Sequence, residues 1–436
     1  MEITRIWNTS LSGPDSYQLI AAKWFAVVTL WLVPISTAGV NLGSAACAVF
    51  ALTSPEVWRR PGGLWKRSRA AVIALALFVA LALSVAYTAA PTSEAIDFLM
   101  KYRKLLFIPL LILVFADSER TKWSAMATWG LFAALVLSMV LTYTNFLGWT
   151  AVGPRHGTDP VSKPWVFKDH ISGGLMMAFL VCQSWSLAGT TRNRTARILL
   201  ALVSLLAMGN VLFVLQGRTG QVVAIFYMAI FLVMQAVQFR KHDKVSRWIA
   251  GLGAIMIALC IAAFVLYAKD SRLAGTAQEI TQFETQNKVT SMGLRYEYYR
   301  RSIELIAHRP FYGYGAGSVR TEFERLQSAN AGANFVMIGN PHNEFLLMGV
   351  QLGVVGVALL VALFITLALE CSQLAAPERG VAIGYLFAFA LGCCANSLLL
   401  NFTEGNLLVF LVGILLAAAP RRESQSRVSS AGAASN

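Results

Sequence analysis

The sequence predicts an all-α integral membrane protein of about twelve transmembrane helices with one large helical loop on its outer side. Three observations lead there. The chain is 56% hydrophobic and 13% charged over 436 residues, about half the charge of a soluble domain. Apolar runs long enough to cross a bilayer recur along it. A single long hydrophilic stretch, 269–344, interrupts them.

Taken in order, residues 1–19 are polar and include Glu2, Arg5 and Asp15, so they read as a cytoplasmic N-terminus. They do not resemble a secretory signal, and the first apolar run is expected to be retained as a helix. Nine runs fill 20–268: 20–36, 38–53, 70–89, 104–116, 123–147, 168–188, 196–215, 219–238 and 247–268. After the 269–344 loop, 345–419 holds three more, at 345–369, 380–398 and 403–419. The tail 420–436 is rich in Ser, Ala and Arg and reads as disordered and cytoplasmic. The cysteines at 47, 182, 260, 371, 393 and 394 lie in or beside apolar runs without paired spacing, which fits packing rather than disulfides or a metal site.

Lysine and arginine set the orientation. Arg59, Arg60, Lys66, Arg67 and Arg69, then Arg192, Arg194 and Arg197, then Arg240, Lys241, Lys244 and Arg247 fall on one side with the Arg421–Arg422 tail, which makes that side cytoplasmic. The opposite connections should be poor in cations, yet they hold Lys101, Arg103, Lys104, Arg155, Lys163, Lys168, His170 and Arg218. Such a cationic outer face suggests an anionic ligand there. Ordinary exceptions to the orientation rule, and anionic lipid headgroups, are the competing explanations. Membrane lipids are expected partners and nucleic acid is not.

Within the long loop, Arg272 to Val289 is polar and helix-compatible, and Leu294 to His308 is amphipathic, with Arg295, Arg300, Arg301 and Arg309 along it. Pro310 stops that helix. Phe311-Tyr312-Gly313-Tyr314-Gly315-Ala316-Gly317-Ser318 follows, where alternating glycines permit tight turns, close backbone approach or a small anion nest. A second short helix is expected over 319–328.

Two positions stand out. Asn340-Pro341-His342-Asn343-Glu344 opens a new apolar run, with Asn340 a good N-cap and Pro341 suited to the first helical position. That places His342 in the first turn of a membrane helix. The positive end of the dipole there disfavours imidazolium, leaving a ring able to accept a proton. A polar helix-start residue that happens to be histidine is the plainer reading. Gln216-Gly217-Arg218-Thr219-Gly220 separates two apolar runs by only a few residues, so Arg218 lies at or just inside the outer interface. Arginine deep in lipid costs at least ~2.5–3.5 kcal/mol, and no acidic residue is near in sequence. Arg218 is either a snorkelling anchor or the wall of a polar cavity that takes an anion.

Together these features resemble the O-antigen ligase/polymerase superfamily of lipid-linked glycan transferases, most closely its O-antigen ligases. The resemblance rests on the twelve-span layout and the Gly-Arg-Thr-Gly turn at Arg218. It rests also on Gly293-Leu294-Arg295 through Gly315, and on Pro341-His342-Asn343-Glu344-Phe345-Leu346 followed by Gly349, Gly353 and Gly356. It covers about 168–360; the N-terminal third matches only in hydropathy and in its Lys/Arg cluster. Gly217 departs from the serine common before the arginine.

The resemblance implies metal-independent, inverting glycosyl transfer at the periplasmic face of a Gram-negative inner membrane, without a cofactor. The donor it implies is a glycan on undecaprenyl pyrophosphate, and the acceptor is the lipid A core oligosaccharide. Arg218 and Arg295 match the motif arginines and suit the leaving pyrophosphate, because guanidinium offers bidentate contacts to phosphate oxygens. His342 suits the base for the incoming hydroxyl. Lys101, Arg103, Lys104, Arg155, Lys168, His170 and Arg301 are the expected further substrate contacts. No Asp-x-Asp occurs in an outer loop, so no divalent metal is expected.

An O-antigen polymerase of the same superfamily is the nearest alternative. A transporter or flippase of lipid-linked sugars is the alternative from another class. Repeated halves with matching interrupted helices would favour the transporter, and the polar residues here gather in one asymmetric loop instead.

Overall fold

The structure, a computed structural model, describes residues 15–59, 64–116, 120–154, 159–239, 279, 281–282, 290–329 and 339–419. Its regular elements are helices. In chain order the first eight are α1 (Tyr17–Leu32), α2 (Thr37–Thr53), α3 (Pro55–Arg59), α4 (Leu64–Arg67), α5 (Arg69–Ser84), α6 (Thr92–Tyr102), α7 (Phe107–Val114) and α8 (Arg120–Phe146). There follow α9 (His170–Ala188), α10 (Arg194–Gly209), α11 (Arg218–Phe239), α12 (Ser291–His308), α13 (Val319–Ala329), α14 (Glu344–Ser372), α15 (Glu378–Cys393) and α16 (Phe402–Ala418). The chain forms two compact units, Met1–Ala134 with Tyr299–Asn436, and Leu135–Tyr298.

The expectation of about twelve spans is overturned. Among the described residues five helices are long and apolar enough to cross a membrane: Arg69–Tyr87, Thr121–Phe146, His170–Ala188, Arg194–Val214 and Glu344–Ser372. For three of the expected spans the physical reason is length. At 1.5 Å per residue, α1 with 16 residues, α2 with 17 and α16 with 17 reach only about 24–26 Å, short of the ~30 Å hydrocarbon core. The run at 104–116 divides into a 3-10 turn, Arg103–Leu106, and the eight-residue α7. The run at 380–398 stops as a helix at Cys393. The run at 247–268 and the tail 420–436 lie outside the described residues, as does most of Arg272–Val289.

In the first unit, α16 is apolar on all sides and almost wholly buried, so it is the axis around which α1 and α7 pack. The serines Ser16, Ser36 and Ser68 cap α1, α2 and α5 by accepting from backbone N–H groups three residues on. Glu56 accepts from the Ser16 amide and hydroxyl and from the Ser54 hydroxyl. The Ser54 bond foremost holds its carboxyl down to about 2. α5 lies along α14, and Glu370 near the end of α14 accepts from the Ser68 hydroxyl (2.7 Å) and the Ala70 amide (3.0 Å). That carboxylate faces the positive end of α5, which favours it electrostatically.

α14 is broken at Gly353, where φ is 62° and ψ is −150°. The opened helix ladder is taken up by the glycine-rich segment. Tyr314 donates its amide to Val350 (2.8 Å), Gly315 to Gln351 (2.9 Å), and Val354 to Pro310 (2.7 Å). Gly313, Gly315 and Gly317 all have positive φ. A Cβ at Gly353 would lie 2.4 Å from the Pro310 carbonyl oxygen, so only glycine allows this approach.

In the second unit α9 is the core, packed between α10 and α11. α10 runs on as a π turn, Asn210–Val214, before the chain reverses at Gln216 into α11. The buried Gln221 side chain donates to the Leu212 carbonyl (3.0 Å), satisfying a group that the irregular turn releases.

Candidate functional site

Within the second unit, Arg218 is the first residue of α11 and is about a quarter exposed on its side chain. Gly217 brings this start against α9: a Cβ there would lie 2.2 Å from the His170 carbonyl oxygen, and one at Gly220 would lie 2.4 Å from the Gly174 carbonyl carbon. Gly217 is therefore required by packing, and a serine there would force α9 and α11 apart. His170 begins α9 beside Asp169, whose carboxylate accepts from Ile171 and Ser172, and its ring lies 4.7 Å from that of Trp165. His170 and the Arg218 turn are thus brought together.

Arg218 has an acidic partner after all, supplied from the long loop. Its Nη2 donates to Glu279. The other oxygen of Glu279 accepts from the Met292 amide (3.2 Å), and its carbonyl accepts from the Thr290 hydroxyl (2.9 Å). Thr290 in turn caps α12 through Gly293. One carboxylate therefore ties the guanidinium to the first turn of the helix that carries Arg295, three residues past Met292. Arg218 keeps a buried Nε without a hydrogen-bond partner among the described residues, and a guanidinium has five N–H donors in all. The partly exposed guanidinium stands at the positive end of a helix, where an anion is favoured.

Within the first unit, His342 is not in the first turn of α14. The helix begins at Glu344, and Asn343 is the N-cap, accepting from Phe345 (2.9 Å) and Leu346 (3.1 Å). Asn343 followed by an acidic residue is as good a start signal as Asn340-Pro341, so the sequence held both. His342 precedes the cap with φ at 56° and is half-buried. Its backbone is fixed on both sides. Its amide donates to Asn340 Oδ1 (2.9 Å), which also accepts from Ser397 Oγ (2.7 Å). Its carbonyl is 3.1 Å from the Tyr299 hydroxyl, itself 3.0 Å from the Cys394 carbonyl, to which Asn343 Nδ2 donates (2.9 Å). The turn after α15 thus clamps 340–343, a role no sequence signal assigned to it.

Glu344 is fully buried and serves the fold. Tyr102 donates to it (2.6 Å), as do the amides of Leu399 (2.9 Å) and Leu400 (3.3 Å). Burial foremost, with Glu344 beside it, holds the Tyr102 phenol well above its ordinary range. Lys104 is buried next to this network and donates to the carbonyls of Asn401 (2.5 Å) and Leu400 (3.3 Å).

Arg301 is also buried and donates to the Phe323 carbonyl (3.1 Å), joining α12 to α13. These two cations sit inside the protein rather than on its outer surface. Lys168 is buried as well, whereas Lys101 and Arg103 are exposed, and Arg103 donates to the nearby Met100 carbonyl (3.0 Å). Arg155 lies outside the described residues. The glycine loop is no anion nest: the amides of Tyr314, Gly315 and Gly317 go to Val350, Gln351 and the Gln351 side chain. Among the described residues no group of three or more His, Cys, Asp or Glu could hold a metal.

Residues 203–361 match the family model described as O-antigen ligase. The match takes in Arg218, Glu279, Arg295, Arg301 and His342, and leaves out Lys101 to Lys104, Lys168 and His170. No curated protein matches the chain. The partial match and the membrane-spanning helices support a glycan-transferring enzyme of this superfamily acting on a lipid-linked glycan.

Proposed function

We propose that the protein is an O-antigen ligase, moving a glycan from undecaprenyl pyrophosphate to the lipid A core oligosaccharide at the periplasmic face of the inner membrane. The observation that carries this reading is the partly exposed Arg218 at a helix start, with Glu279 joining it to the helix of Arg295.

A glycosyl pyrophosphate already has a good leaving group, so the chemistry needs stabilised charge on the departing oxygens and a base for the acceptor. The acceptor hydroxyl oxygen attacks the anomeric carbon from the face opposite the pyrophosphate, and the bond from that carbon to the phosphate oxygen breaks. Undecaprenyl pyrophosphate leaves with the electron pair, its negative charge met by Arg218 and Arg295. His342 takes the hydroxyl proton. Its clamped backbone supports that role, since a base works only when held within reach of its proton. Exposed Lys101 and Arg103 serve the anionic core acceptor, and their effect fades with salt.

The lipopolysaccharide profile of a strain lacking this chain tests the reading. The expected result is polymerised O-antigen retained on undecaprenyl pyrophosphate beside a bare lipid A core. Single O-units on the core would identify a polymerase instead, and O-units trapped on the cytoplasmic face would identify a flippase.

A further inference from the structure

The first unit has an open cavity of about 500 Å³ lined by Tyr87, Arg309, Pro310, Phe311, Tyr312 and Gly313. Its aromatic rings are turned outward rather than packed away, with Tyr87 45%, Phe311 66% and Tyr312 71% exposed. The walls are fixed nonetheless. The Tyr87 hydroxyl donates to the Tyr312 carbonyl (2.9 Å), and the glycine segment is bonded into the break of α14. The cation of the cavity is Arg309, whose guanidinium lies 4.7 Å from the centre of the Tyr314 ring. Among the described residues Arg309 makes no ion pair.

The cavity stands at the end of a membrane helix. Tyr87 closes the apolar span Arg69–Tyr87. On that helix Leu75, Val79 and Leu83 are 38%, 44% and 68% exposed and lead to Tyr87 at four-residue steps, so they wind slowly along one side of it. An apolar track that ends in an aromatic-walled pocket with one unpaired guanidinium matches an anionic amphiphile: chain along the track, phosphate on Arg309. Aromatic residues at the ends of membrane helices sit at headgroup depth, and arginine is well suited to phosphate oxygens.

We infer that this cavity is a binding site for an anionic phospholipid of the surrounding bilayer, with its phosphate on Arg309 and an acyl chain along Leu83, Val79 and Leu75. This inference does not depend on which glycan the enzyme moves.

The full-length protein, reconstituted in vesicles of phosphatidylcholine and phosphatidylglycerol, tests it. Lipid retained on release is counted by native mass spectrometry. Phosphatidylglycerol is expected to be retained in preference to phosphatidylcholine. Arg309→Gln should weaken that retention about tenfold, the loss of one charged hydrogen bond. Tyr312→Ser should also weaken it, and Arg320→Gln, an exposed arginine of α13 away from the cavity, should not. Unchanged retention in both cavity variants would overturn the assignment, as would equal retention of the two lipids in the native protein. Displacement of phosphatidylglycerol by undecaprenyl phosphate added at an equal amount would overturn it too, by giving the cavity to the lipid-linked substrate.

Discussion

Arg218 and Glu344 are each the first residue of a helix, and each follows by two positions a non-glycine residue in left-handed conformation, Gln216 at φ 51° and His342 at φ 56°. Such a backbone costs roughly 1–2 kcal/mol for an ordinary residue, so the surroundings must hold it. They do so differently. At 340–344 the hold is made of neutral side-chain amides and hydroxyls from Asn340, Asn343, Tyr299 and Ser397, and the one acid present, Glu344, points into the core. At 216–218 the hold is close glycine packing on α9, and the charged side chain stays partly exposed against a carboxylate from a distant loop. The first start fixes a backbone beside an imidazole. The second presents charge. The proposed roles of base and leaving-group stabiliser draw on this contrast.

The largest expected effect is at the first start. His342→Ala removes the ring but none of the backbone bonds that clamp residues 340–343. Turnover with lipid-linked donor should fall by ~10²–10⁴-fold, while the thermal unfolding midpoint stays near that of the native protein. Near-native turnover would break the assignment of the base. Arg218→Ala comes next. Loss of a preorganised donor to a developing anion typically lowers the rate by ~10²–10³-fold. Arg218→Lys should recover little, because one ammonium cannot replace the fork that reaches both Glu279 and a phosphate. If lysine restored most of the activity, Arg218 would be acting only as a point charge.

Glu344→Ala sharpens the comparison from the other side, because here the expected change is in stability. It leaves the Tyr102 hydroxyl and the Leu399 and Leu400 amides buried without their acceptor, at about 1–3 kcal/mol each. A lowered unfolding midpoint, with the specific activity of the surviving folded protein little changed, is the expected pattern. Activity lost at unchanged stability would make Glu344 a chemical participant.

These contrasts mark what was legible in the sequence. The all-helical class, the amphipathic helix over 294–308 and the short helix after Ser318 follow from periodicity and from the apolar composition. The span count did not follow, because hydropathy sees apolar length and not where a helix stops: 104–116 reads as one run yet turns at Arg103–Leu106. For the glycine loop, close backbone approach is observed and the anion nest is not. Its alternating glycines announce close approach, but only the break at Gly353 reveals that the approach is to backbone rather than to an anion. Glu279 was invisible because it lies 61 residues from Arg218 in sequence, and ion pairs across such a distance leave no local pattern.

Glu279→Gln probes the second start more gently. The pair it breaks is partly exposed, 23% on Arg218 and 27% on Glu279, and such pairs contribute about 0.2–1 kcal/mol. Glutamine keeps an oxygen for the Met292 amide, so the start of α12 should persist. A change of up to about fivefold in the KM for donor is expected, with kcat nearly unchanged. A collapse in kcat would mean that the carboxylate charge itself takes part in the reaction.

The smallest expected effect is that of chelation, which should leave turnover unaltered. The leaving pyrophosphate needs positive charge, and either arginines or a divalent cation could provide it. A cation held by the protein needs carboxylate or imidazole ligands gathered at one place, and no such group of three exists among the described residues. The carboxylate paired with Arg218, Glu279, is already shared with the Met292 amide, so it has little to offer a metal. The arginines, by contrast, need no partner ion to bind phosphate. EDTA should therefore leave initial rates where they were in the native protein, and added magnesium or manganese should not raise them. Inactivation by EDTA that either ion reverses would show that the charge at the second helix start is shared with a metal, and would shift the weight of the mechanism away from Arg218.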